Sequence, residues 1–132
     1  MSKNIAYDDA VGFLFERFPE FRRRVAGEYG EKLDDIGSLP HAVFGELTRF
    51  VVDLLTSGTS SDLRDAFALI EDMSQSADER TRNLVQVSFL ENLQKDPEAY
   101  KKAHRLMGAD TKSLSGEVEA FWEGKPVERR SR

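Results

Sequence analysis

The sequence predicts an all-α domain built as a single compact bundle of six or seven helices. Three observations predict it. Apolar residues recur at helical spacing along almost all of the 132 residues, Gly or Pro stands at most of the breaks, and no two segments alternate in a way that would pair them as strands.

Val11, Leu14, Phe15 and Phe18 form the stripe of a first helix, which stops near Phe18-Pro19 because a residue before proline is pushed out of the α region. Pro19 opens a short second helix with Phe21, Val25 and Tyr29 on one side. Residues 30–38 read as an acidic, exposed loop. Pro40 starts a long helix whose Val43, Leu47, Phe50, Val51, Leu54 and Leu55 share a face, ended at Ser57-Gly58 by a glycine suited to the left-handed C′ position. Ser60 or Ser61 caps a fourth helix carrying Leu63, Ala66, Phe67, Ile70 and Met73.

Ser76-Ala77-Asp78-Glu79 has the form of a capping box and opens a fifth helix. There Leu84, Val85, Val87, Phe89, Leu90 and Leu93 point nearly all round, which places this helix at the centre of the bundle with Phe67, Ile70, Val87 and Leu90 in the core. Val85, Val87 and Phe89 also alternate like a strand, but no second strand is there to pair with them. The likeness of residues 67–71 to residues 87–91 predicts a central buried hairpin of two antiparallel helices rather than a repeat array. Asp96-Pro97 caps a sixth helix with Tyr100, Ala103, His104 and Met107 on its stripe, ended by Gly108, and Leu114, Val118, Phe121 and Trp122 form the last stripe. The domain is expected to span 1–123, with 124–132 a flexible C-terminal tail.

Composition removes several chemistries. Zero cysteines exclude a disulfide framework, thiolate metal sites and a Cys nucleophile. Neither histidine, His41 or His104, has a second His or a Cys at ligand spacing, so both read as structural and no metal or cofactor is expected. There is no Gly-x-Ser-x-Gly elbow and no phosphate-cradling glycine loop. The paired acids Asp8-Asp9, Asp34-Asp35 and Glu71-Asp72 diverge on a helix or are solvated in a loop, so catalytic residues are not expected either. A net charge of −5 argues against a protein that binds nucleic acid by neutralising phosphates. No apolar run reaches the roughly 18 residues of a membrane span, and Met1-Ser2-Lys3-Asn4 lacks a signal sequence, so a cytoplasmic location is expected.

What the charges leave is a surface. Residues 58–98 hold 9 acids against 4 Lys/Arg. On the fourth helix Asp62, Asp65 and Asp72 return to nearly one line opposite Phe67 and Ile70, with Asp78 and Glu79 across the next turn and Asp34 and Asp35 in the earlier loop. These seven are the candidate partner-binding residues, against the simpler reading of a solvated face whose first-turn acids suit the helix dipole. Arg22-Arg23-Arg24 is expected to fan out over the surface, paired with Glu20 and Glu28. Asn83, Gln86, Ser88 and Glu91 are expected to form a structural hydrogen-bond network.

Phe18-Pro19-Glu20-Phe21, Leu39-Pro40-His41-Ala42-Val43-Phe44-Gly45-Glu46 and Asn83-Leu84-Val85-Gln86-Val87-Ser88-Phe89-Leu90-Glu91 give the chain a resemblance, over roughly residues 8–120, to a family of small bacterial helical proteins classed as a domain of unknown function. The resemblance implies an all-helical fold without established catalytic residues. Such small acidic proteins look like the immunity proteins encoded beside bacterial toxins. The function expected is therefore a non-enzymatic protein-binding module, an immunity protein that occludes a basic cognate toxin domain. The alternative is a regulatory or housekeeping adaptor, with a homodimer left open.

Overall fold

The computed structural model describes residues 5–32, 39–57 and 60–122; Asp34, Asp35, Gly58 and the tail 124–132 lie outside the described residues, as does the side chain of Trp122. Of the described residues 87% are helical and none is in a strand, so the fold is an all-α bundle of seven helices. A 3-10 turn, Tyr7–Asp9, leads into α1 (Ala10–Arg17), followed by α2 (Pro19–Tyr29) and a second 3-10 turn, Gly30–Lys32. Then come α3 (Pro40–Ser57), α4 (Ser60–Ser74), α5 over 79–94, α6 (Pro97–His104) and α7 (Ala109–Trp122).

The punctuation follows from local chemistry. Phe18 leaves the helical region before Pro19, which takes the first position of α2. Gly30, at φ 54°, accepts the left-handed turn that ends α2. Asp96 caps α6, its side chain accepting from the Ala99 N–H at 3.2 Å with Pro97 next in line. Two expected boundaries move. The N-cap of α5 is Asp78 and not Ser76: Asp78 accepts from Arg80 N–H at 2.9 Å, while the Ser76 hydroxyl is drawn away to the Ile5 carbonyl at 2.6 Å. Helix α6 stops at His104, so Met107 is buried beyond its end, and Gly108 instead opens α7 by accepting from Lys112 N–H at 3.0 Å.

One hydrophobic core runs through all seven helices. Its centre is α5, whose middle packs against α3 more extensively than any other two elements pack, with α4 behind it through an edge-on contact of Phe67 and Phe89 at 5.9 Å between centroids. Helices α4 and α5, read as a hairpin, follow one another and pack together, but the main partner of α5 is α3.

Helix α5 is not a uniform α-helix. Glu79–Leu84 and Glu91–Gln94 are α-helical, but Val85–Leu90 is a π-helical stretch in which the Glu91 N–H reaches back five residues to the Gln86 carbonyl. The wider turn aligns residues five apart. Leu84 lies above Phe89, Val85 above Leu90 and Ser88 above Leu93, and all six are buried. The Ser88 carbonyl has extra donors, the Asn92 amide at 2.9 Å and the Thr48 hydroxyl of α3 at 3.0 Å. The expectation that Val87 belongs to the core is overturned: the π turn rotates it outward, and it is 40% exposed. Phe121 is likewise removed from the core, at 66% exposed, because Val118 is the last buried residue of α7 among those described.

Buried polar groups are bonded, as they must be. Ser76 and Thr81 both donate to the Ile5 carbonyl, at 2.6 and 2.8 Å, fixing the start of the described chain to the α4–α5 turn. Glu46, 3% exposed, accepts from the Tyr29 hydroxyl at 2.8 Å and pairs with Arg49. No helix among the described residues is long and apolar enough to cross a membrane.

Candidate functional site

Of the candidate acids, Asp62, Asp65 and Asp72 lie on α4 and Asp78 and Glu79 at the start of α5, while Asp34 and Asp35 lie outside the described residues. Asp65 is exposed and Asp62, in the first turn of α4, is half-buried, while Phe67 and Ile70 opposite are buried; Leu69, four residues after Asp65 and three before Asp72 on the same side, is buried too, so the line read from the sequence is exposed only in part. Asp72 lies 3.9 Å from Arg17 of α1. Asp78 is engaged on both oxygens, by Tyr7 N–H at 2.9 Å and by Arg80 N–H at 2.9 Å. The Tyr7 amide, with help from Arg80, holds its carboxyl below the usual range. Asp62, Asp65 and the exposed Glu79 form no ion pair with another described residue.

Glu79 leads into a feature the sequence did not reveal, a trench between α5 and α7. One hollow of about 470 Å³ has Arg80, Arg82 and Leu114 on its walls with Glu79. A second, of about 180 Å³, has Val87, Val118 and Phe121 on its walls, and both share Asn83, Gln86 and Glu117. The Gln86 amide bridges the floor, donating to the Leu114 carbonyl at 3.3 Å and to Glu117 at 3.0 Å. Val87 and Phe121, both read as interior, are its apolar lips. The signal that would have found Val87 was present in the sequence, as the five-residue spacing of Leu84–Phe89 and Val85–Leu90.

A third hollow, of about 510 Å³, lies between α2, α3 and the α5–α6 turn, but its charges are committed within the chain. Arg24 pairs with Asp53 at 2.7 Å, Arg49 with Glu46, and Asp96 caps α6. Arg24 also lies over the Phe50 ring and Arg22 over Phe15, while Arg23 pairs with Glu20, so the arginine cluster fans out as expected but anchors α2 to α3 through Asp53.

Both histidines sit at the surface. His104 stacks edge-on against Tyr100 at 5.9 Å rather than entering the core. His41 Nδ1 is hydrogen-bonded to the Ser88 hydroxyl at 2.5 Å, and neither residue lines any of the three hollows. Among the described residues no group of three His, Cys, Asp or Glu side chains is placed to hold a metal ion.

Of the network expected in α5, Gln86 and Ser88 are bonded to neighbouring helices, while Asn83 and Glu91 line the trench. Gln94 donates to the Ser115 carbonyl and hydroxyl of α7 at 3.2 and 3.1 Å, and Ser115 also meets the Tyr100 hydroxyl at 2.5 Å. Burial, reinforced by a hydrogen bond to Glu119, pushes the Tyr100 phenol up to about 12.

None of the curated proteins and none of the solved structures compared with the chain matches it. The family described as Domain of unknown function (DUF7674) matches residues 12–123. With that match covering all seven helices but for the first two residues of α1, the chain belongs to this family.

Proposed function

We propose that the protein works by binding another protein rather than by catalysis, as an immunity protein that covers a basic toxin domain. The observation that carries the reading is the acids of α4 and of the start of α5: Asp62, Asp65 and Glu79 form no ion pair with another described residue. Exposed carboxylates without an ion-pair partner speed encounter with a basic partner and exclude acidic ones, while a few buried contacts set the lifetime of the complex. The test is co-expression with the toxin encoded next to the gene, scoring survival and pull-down. Wild type should rescue growth, and Asp65→Lys combined with Glu79→Lys should weaken capture, chiefly by slowing association. Failure of the wild type to rescue, or the absence of a neighbouring toxin, overturns the reading.

A second reading, an adaptor that binds an unrelated protein or a second copy of itself, is favoured by a different observation, the apolar lips Val87 and Phe121 of the α5–α7 trench. Phe121→Asp separates the two. It should leave toxin capture intact if the acids make the interface, and abolish partner binding or self-association if the trench does.

A further inference from the structure

A second acidic face lies on α1 and the 3-10 turn before it. Asp9, Phe13 and Glu16 stand at helical spacings of four and three and share one side, with Asp8 adjoining. Together with Gly12 they line a shallow hollow of about 420 Å³, and Phe13 is 41% exposed within it. The three acids are exposed and form no ion pair with another described residue. Arg17, the residue after Glu16, turns instead to Asp72 at 3.9 Å.

Two independent observations say what fits there. The first is that three other aromatic rings of the described residues carry an arginine. Arg22 lies over Phe15, Arg24 over Phe50 and Arg80 over Tyr7, at 5.9, 5.7 and 4.9 Å from the ring centroids. In two of the three the guanidinium is also held by a carboxylate, Arg24 by Asp53 at 2.7 Å and Arg80 by Asp78 at 3.6 Å. Phe13 with Asp9 and Glu16 repeats the ring and the carboxylates with no arginine among the described residues over it. The second is Gly12. Glycine is the worst helix-interior residue after proline, yet a Cβ at position 12 would meet nothing within 4 Å and the backbone there is ordinary helix. No packing among the described residues calls for glycine at this place, as none does at Gly27 or Gly116, and at position 12 the missing side chain leaves the hollow beside Phe13 open.

We infer that this face receives an arginine side chain of the protein partner, its guanidinium laid on the Phe13 ring and held by Asp9 and Glu16. The planar, delocalised cation suits a ring face and carboxylates at once, which a lysine ammonium does less well. The inference rests on the proposed protein-binding function and names a contact point for it.

The probe is a short Gly/Ser peptide carrying one arginine, titrated into the isotope-labelled full chain and followed by amide shifts, with the citrulline peptide as neutral control. Saturable shifts centred on residues 8–17, absent with citrulline, are expected. Phe13→Ala should weaken binding about fivefold or more, and Phe13→Trp should restore it. Gly12→Leu should fill the hollow and abolish binding while raising the melting temperature, so that its loss of binding is not a loss of fold. Shifts of equal size with citrulline, shifts spread over the α4 acids, or unchanged affinity in Phe13→Ala would each overturn the inference. A wild type that neutralises its toxin, matched by a Gly12→Leu chain that does so equally well, removes this face from the interface and leaves the proposed function standing. Arginine docking on Phe13 in a chain that neutralises no toxin does the reverse.

Discussion

Gly108 and the carboxylate of Glu71 share one small volume: a Cβ on residue 108 would fall 2.9 Å from Glu71 Cγ and nearer still to its carboxylate. The absence of that atom lets Glu71 of α4 cap the start of α7. It accepts from Thr111 N–H at 3.0 Å, the Thr111 hydroxyl at 2.8 Å and Asp110 N–H at 3.2 Å, satisfying donors that a helix start otherwise leaves without partners. Gly108→Ala and Glu71→Ala are each expected to destabilise the fold by about 1–2 kcal/mol, as loss of a cap does. Because either change removes the same contact, the double variant should cost clearly less than the sum, measured by chemical denaturation of all four chains.

Acid should loosen this arrangement. Burial pushes the Glu71 carboxyl up, but the hydrogen bonds from Thr111, Asp110 and Gln75 outweigh it and hold the group below the usual carboxylate range, as the Tyr7 and Arg80 bonds hold Asp78. With folded-state values below the unfolded ones, the unfolded chain binds protons first. The stabilisation is therefore complete above the unfolded carboxylate values and is lost as pH falls through the folded ones. Urea midpoints measured from about pH 7 down to about pH 3 should decline at the acid end, and Glu71→Gln should flatten part of that decline. A midpoint that rises on acidification would contradict both assignments.

Tyr29 secures a charge that is out of water. The Glu46 hydrogen bond, with burial adding to it, raises the phenol above its ordinary value, so the hydroxyl keeps its proton as donor. Tyr29→Phe leaves the buried Glu46 with Arg49 and one acceptor site unfilled, a change expected to cost about 1–3 kcal/mol. Thermal melts at neutral pH would register it, and a melting point equal to wild type would mean that water replaces the phenol.

Position 87 and position 90 should differ sharply in their response to the same substitution. Leu90 is fully buried, and Leu90→Ala is expected to cost about 2–5 kcal/mol through lost transfer energy and the cavity left behind. Val87→Ala, on the outer side of the π stretch, should stay within about 0.5 kcal/mol. Equal losses at the two sites would restore a conventional helix there.

Much of the fold could be read from the residues because its signals are local. Pro19, Gly30 and Asp96-Pro97 set boundaries by backbone chemistry alone, and the stripes of α2, α3 and α4 are single-faced. The failures share a cause. Ser76 lost its expected role to Ile5, Gly108 owes its identity to Glu71, and Arg24 found Asp53, all partners distant in sequence that no periodicity encodes. The surface was half legible in the same sense. Spacing placed Asp62 and Asp65 on one face, but only the packing tells that Asp78 is occupied by Tyr7 and that Phe13 stands open among acids.

The π turn of α5 has a consequence for chain length. Two amphipathic stripes, one through Thr81, Leu84, Val85 and Ser88 and one through Phe89, Leu90 and Leu93, are out of phase by a single residue, and the wide turn absorbs the difference. Deleting Val87 would bring Thr81, Leu84, Val85, Phe89, Leu90 and Leu93 onto one uninterrupted i, i+3, i+4 pattern, so this helix should survive the loss of a residue that would scramble the facing of any other in the bundle. What such a shortened chain would surrender is Ser88, turned off the core and away from His41 and Thr48. The extra residue is thus an insertion that the helix tolerates, holding one hydroxyl and one carbonyl against the long helix beside it.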